Sequence, residues 1–150
     1  MNHSPTIHAS AILVGARAVL ICGAAGSGKS SLAFALIQAG ETGAVPFSRL
    51  VGDDRIHVDA AHGRLLVRPA ETLKGLIEVR GLGIRRVPFE PVAAVGLIID
   101  LGATNAERLP GSDSAVAEVA GITLPRLAVA AGADVLPVLF AALHTAESGL

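Results

Sequence analysis

The sequence predicts an α/β fold. The apolar run Ala18 to Cys22 feeds straight into a glycine-rich octapeptide and then into helix-forming residues, and Val92 to Leu101 is apolar enough for a strand buried on both faces of a sheet. A second helical stretch closes the chain. At 150 residues the chain has the ordinary size of one domain, so a single compact domain spanning residues 1–150 is expected.

Each element follows from local pattern. Ala11 to Val14 and Ala18 to Cys22 flank Gly15-Ala16-Arg17, a spacing that suits two strands joined by a tight turn. Ser31 to Ala39 contains strong helix formers and no breaker until Gly40, which stands where a C-terminal cap belongs. Glu41 to Ser48 is a Gly-, Thr- and Pro-bearing connection to the strand Arg49-Leu50-Val51. Arg55 to Asp59 and Leu65 to Arg68 suit strands around the turn Ala61-His62-Gly63-Arg64, with Leu76 to Val79 a further short strand. Ala103 to Ser114 is turn-rich, and Pro125 separates the extended segments Ile122 to Leu124 and Leu127 to Val129. Val135 to Ala146 suits a helix, capped by Asp134 and tolerating Pro137 in its first turn.

Composition excludes several functions. Hydrophobic residues make up 51% of the chain, but there are four Phe and neither Trp nor Tyr, so the core should be aliphatic. A net charge of -1 and the scarcity of aromatics leave neither basic stripe nor stacking platform, which argues against nucleic acid as a partner. The single cysteine, Cys22, has no second cysteine with which to form a disulfide. No stretch reaches the roughly 18 apolar residues of a spanning helix, and the N-terminus does not resemble a signal peptide. A cytoplasmic protein without membrane contact is expected.

The octapeptide Gly23-Ala24-Ala25-Gly26-Ser27-Gly28-Lys29-Ser30, followed by Ser31, matches G-x-x-x-x-G-K-[ST]. Its glycines let consecutive N–H groups face one concavity that suits a polyphosphate, most simply ATP, and the following helix adds its positive end. Lys29 is placed to reach the β- and γ-phosphates and the Ser30 hydroxyl to ligate Mg²⁺. A carboxylate is needed besides, and three strand ends offer one: Asp53 with Asp54, Glu78, and Asp100. Spacing alone does not choose among them. Asp53 and Asp54, as neighbours on an extended chain, should face opposite ways and divide tasks, one of them as a general base.

In order along the chain, four segments resemble the bacterial HPr kinase/phosphorylases: His8, the Gly23 to Ser30 loop, Leu50-Val51-Gly52-Asp53-Asp54-Arg55, and Glu78-Val79-Arg80-Gly81-Leu82-Gly83-Ile84. The last is similar to a signature of that family's catalytic domain. The resemblance covers residues 7 to 145 and weakens after Val87. It implies ATP-dependent phosphorylation of a serine on the phosphocarrier HPr, reversal by phosphorolysis, a mixed sheet with flanking helices like the nucleotide core of phosphoenolpyruvate carboxykinase, and a homo-hexamer. By resemblance Asp53 is the base, Asp54 assists, Lys29 neutralises the transferred phosphoryl group, Ser30 and Glu78 hold Mg²⁺, and His8 tunes the aspartates. Arg108 matches a basic residue used near the phosphoryl group, and Arg80 would shape the wall of the site.

Departures modify these expectations. A minimal catalytic module without the family's N-terminal domain is expected, similar to the short forms of α-proteobacteria, where HPr serves a regulatory relay. Arg85 to Glu90 replaces a glycine-containing loop of longer members, and Ala128 to Ala133 lacks the basic residues of the family's dephosphorylation loop. The kinase direction is therefore the leading expectation. A nucleotide-binding regulatory module without efficient transfer is the alternative, with a small-molecule kinase ranked last.

Overall fold

The computed structural model describes residues 6–107 and 110–145. Among them lie eleven strands and two α-helices: β1 (Thr6–Ile7), β2 (Ala9–Val14), β3 (Arg17–Cys22), α1 (Lys29–Thr42), β4 (Ser48–Gly52), β5 (Ile56–Ala61), β6 (Arg64–Pro69), β7 (Leu76–Val79), β8 (Gly83–Arg86), β9 (Ala93–Leu101), β10 (Val116–Val119), β11 (Ile122–Val129) and α2 (Val135–His144). The α/β class read from the sequence is the class observed.

The principal sheet is mixed and runs β1-β5-β6-β9-β3-β2-β4, with the β10–β11 hairpin joined to β9. Strand β9 is its hub. It pairs in parallel with β3 along one edge, while its other edge is shared between β6, antiparallel near Ala93 and Ala94, and β11, parallel from Ile98 to Leu101. A strand paired on both edges and buried on both faces needs the continuous apolar run found there. Along β3, Ala18 and Leu20 enter one core cluster while Val19 and Ile21 enter the other. The second cluster receives Leu32, Ala33 and Leu36 of α1 and Leu139 of α2, so both helices cover the same face. Among the described residues every buried hydrophobic one is Ala, Val, Leu or Ile, the aliphatic core expected from composition.

Several boundaries differ from the sequence expectation. Helix α1 passes through Gly40 and ends at Thr42, with Gly43 in the left-handed conformation that closes it. Gly40 is present for another reason: a Cβ there would stand 2.8 Å from the backbone N of Ser48, so the missing side chain lets α1 approach β4. Pro125 does not divide two segments. Instead β11 is continuous and changes neighbours there, pairing with β10 up to Pro125 and with β9 from Arg126 onward. Strands β8 and β10 carry no strong alternation of apolar residues and escape pattern reading. Helix α2 runs Val135–His144 with Thr145 extended after it, the expected end at Ala146 lies outside the described residues, and Asp134 caps the helix by accepting from the Leu136 N–H.

Candidate active site

The glycine loop joins β3 to α1 at the end of the sheet where parallel β3 and β9 both finish. Gly26 and Gly28 adopt positive φ of 80° and 100°. Gly23 packs closely, since a Cβ there would fall 2.4 Å from Ser27 Oγ and 3.2 Å from the Leu101 Cβ, so Ser27 would have to shift to admit one. Helix α1 begins at Lys29 with neither a side-chain cap nor an acidic residue in its first turn, so its leading N–H groups remain available to an anion. Ser27 Oγ is buried without a hydrogen-bond partner among the described residues. Lys29 is only 5% exposed, and its ammonium donates to the Gly23 and Ala24 carbonyls at 2.9 and 3.1 Å, across the mouth of the loop. These features fit a bound polyphosphate.

Beside the loop lies a cavity of about 450 Å³, walled by Leu32 and Ala35 of α1, Leu101 at the end of β9 with Gly102 after it, and Val129 to Leu136. An apolar hollow next to a phosphate cradle suits a nucleoside. The sequence reading missed this wall because its residues come from three separate segments.

Asp53 ties the loop to the rest of the site. Its carboxylate accepts from Ser30 Oγ at 2.8 Å, from Ser10 Oγ at 2.6 Å and from the Glu78 N–H at 3.1 Å, and the residue is 5% exposed. Four stretches of chain, β2, the glycine loop with α1, the end of β4 and β7, thus converge on one side chain. Ser10 went unnoticed in sequence, although a hydroxyl inside the apolar run Ala9-Ser10-Ala11-Ile12 was its signal. Its Oγ donates to Asp53 and accepts from the Asp54 N–H at 3.1 Å, which fixes both aspartates.

Asp54 diverges from Asp53, but through a turn rather than strand alternation: β4 stops at Gly52 and Asp54 takes φ 70°. Its side chain is 61% exposed and pairs with His8 Nε2. His8 lies between β1 and β2. The carboxylate of Glu78 is exposed and has no partner among the described residues, leaving it available to a cation. Magnesium takes few protein ligands beside phosphate and water, and among the described residues there is no cluster of three or more His, Cys, Asp or Glu of metal-binding type. Ser30 and Glu78 around Asp53 are consistent with that style of site.

Asp100, the third strand-end carboxylate, is engaged elsewhere, since Arg126 Nε donates to its Oδ2 while the same guanidinium reaches the Ser114 carbonyl and Asn105 Oδ1, both at 2.9 Å. Arg80 is exposed at the end of β7. Arg108 lies outside the described residues.

Comparison with known proteins matches residues 1–143 to the HPr Serine kinase C-terminal domain. The HPr kinase/phosphorylase of Enterococcus faecalis is 33% identical over 135 residues, covering 83% of this chain and 41% of that protein. That of Clostridium tetani is 37% identical over 90 residues, covering 55% of this chain and 27% of the relative. The chain thus spans less than half the length of these relatives. Among solved structures, the Hpr(Ser) kinase/phosphatase from Coxiella burnetii superposes with a TM-score of 0.72 at 27% identity, covering 93% of both chains.

Proposed function

This chain belongs to the HPr serine kinase C-terminal domain family, and we propose that it is an ATP-dependent protein kinase whose acceptor is a serine of the phosphocarrier HPr. The observation that carries the proposal is the bond from Ser30 Oγ to Asp53, which brings the phosphate loop and the carboxylates into one site. Residues Gly23 to Ser31 would hold the phosphates, with the nucleoside in the adjacent cavity. Magnesium, held by Ser30 and Glu78, would neutralise phosphate charge when bound. Lys29 faces the transferred group. The acceptor oxygen bonds to the terminal phosphorus, the bond from that phosphorus to the bridging oxygen of ADP breaks, and the proton passes to Asp53. Such transfer demands positioning and charge neutralisation more than covalent chemistry. Residues 1–150 form one catalytic domain in this reading, acting in the cytoplasm as a homo-oligomer, hexameric by analogy with the family. In phosphorolysis inorganic phosphate, not ADP, would be the attacking group: its oxygen bonds to the phosphorus of phosphoserine, the bond from that phosphorus to the serine oxygen breaks, Asp53 returns a proton to that oxygen, and pyrophosphate leaves.

Exposure favours a second assignment of the base. Asp53 is buried among three donors, whereas Asp54 faces solvent beside His8. Incubation with radiolabelled ATP, Mg²⁺ and HPr should yield phosphoserine. Asp53→Asn should then lower transfer by about 100-fold or more, the usual contribution of a general base, with nucleotide affinity retained. If Asp54→Asn carries that loss instead, the proton goes to the Asp54–His8 pair. Absence of transfer to any HPr of the same cell, with ATP still bound, would sink the kinase assignment in favour of a nucleotide-binding regulatory module.

A further inference from the structure

The β7–β8 hairpin commits one face to the core and leaves the other uncovered. Ile77 is fully buried against the helix-bearing cluster, with Val79 packed beside it. Glu78 and Ile84 are direct cross-strand partners and therefore share the opposite face. Ile84 is 64% exposed and Leu82, in the connecting turn, 63%. Two large apolar side chains thus stand in water next to a carboxylate of the candidate active site. Arg86, on the same face as Glu78 and Ile84, borders a hollow of about 470 Å³ lined by Gly75, Val87, Pro88 and Phe89. Arg80, Arg85 and Arg86 have no acidic partner among the described residues.

We propose that this face, Leu82 and Ile84 with Arg86 and the hollow beside it, is the docking surface for the phosphoacceptor protein, whose matching surface is an apolar patch edged by carboxylates next to the accepting hydroxyl. The inference rests on the kinase reading above. Position selects the occupant: Glu78, the direct partner of Ile84, donates its N–H to Asp53, so a body seated on Ile84 meets the site where the hydroxyl must lose its proton. A second copy of this chain held permanently on the same face would cover Glu78 and bar the acceptor. The unpaired guanidinium groups select an acidic rim, and the exposed Leu82 and Ile84 supply the apolar centre on which interface affinity concentrates.

The test compares wild type with Leu82→Asp, Ile84→Asp and Arg86→Glu in steady-state transfer to HPr, with ATP binding and light scattering measured in parallel. Both apolar positions are surface-exposed, so circular dichroism should be unchanged. The expected result is a rise of about tenfold or more in KM for HPr, unchanged nucleotide affinity, and partial rescue of Arg86→Glu by an acid-to-Lys change in HPr. A KM for HPr within twofold of wild type in both apolar variants overturns the proposal. So does a change of oligomeric mass that accompanies the loss, which assigns the face to a contact between copies. If the wild-type chain transfers nothing to HPr, the kinase reading itself falls and takes this inference with it; normal wild-type transfer with insensitive variants removes the docking surface alone.

Discussion

Cys22 ends β3 in register with Asp100 of β9, one residue before the phosphate loop. Burial first and the Asp100 charge second raise its thiol pKa from 9.0 to about 11, against an opposing pull from Lys29. Because only the thiolate reacts, alkylation by iodoacetamide at pH 8 should run roughly 100-fold slower in the folded chain than in the urea-unfolded chain. A protected thiol of this kind also contributes stability that is complete below pH 9 and is lost as the pH rises through about 11, since only the unfolded state ionises between the two values. Equal alkylation rates in the folded and unfolded chains would show Cys22 to be accessible and unshifted. Asp53 and Asp54 make the same point about environment. They are adjacent in sequence, yet one is buried under three donors and the other lies open beside His8, so substituting each in turn tests two distinct proton acceptors.

Among elements, the contact of α1 with β4 decides how the phosphate loop is held. Replacing a helix-interior glycine by alanine ordinarily gains about 1 kcal/mol. At Gly40 the sign should reverse, because the new methyl would stand 2.0 Å from Ser48 Oγ and 2.8 Å from the Ser48 backbone N. Ser48 Oγ also donates to the Leu36 carbonyl at 2.7 Å, so it cannot turn aside without losing that bond. Gly40→Ala is expected to destabilise the chain by about 1–3 kcal/mol, read as a lower midpoint in urea; a higher midpoint would mean that α1 and β4 are not so closely apposed. The prediction separates the two roles proposed for Gly40: a terminal cap would sit at positive φ, whereas the observed residue lies inside the helix and leaves capping to Gly43.

Across the whole molecule, Arg126 joins segments far apart in sequence. From β11 it holds Asp100 at the end of β9, the Asn105 side chain and the Ser114 carbonyl, and so spans both ends of the connection that carries Arg108. Arg126→Met keeps the aliphatic stem but removes all three bonds. With Asp100 one-third exposed, solvent moderates the loss, and about 1–3 kcal/mol is expected. Hydrogen exchange should accelerate in residues 103–107 and 111–115 and remain unchanged in β2 and β4; uniform acceleration would assign Arg126 a general structural role instead. The substitution probes the join between β9 and β11, on which the wall of the cavity beside the glycine loop depends.

The phosphate loop, its flanking strand and helix, the aliphatic core and the central run Val92 to Leu101 were legible in sequence, because each rests on neighbours within one turn or one strand. Local pattern could offer Asp53, Asp54, Glu78 and Asp100 as strand-end carboxylates but could not rank them. Tertiary structure separated their surroundings, pairing Asp100 with Arg126 and setting Asp53 at the convergence of Ser10, Ser30 and the Glu78 N–H. Those contacts join residues 23 to 43 positions apart, and the closeness of Gly40 to Ser48 and the exposure of Ile84 beside Glu78, though shorter in range, also depend on how elements pack. Such relations depend on which strands pair and in what register, and strand pairing is a property of the whole sheet rather than of any one segment.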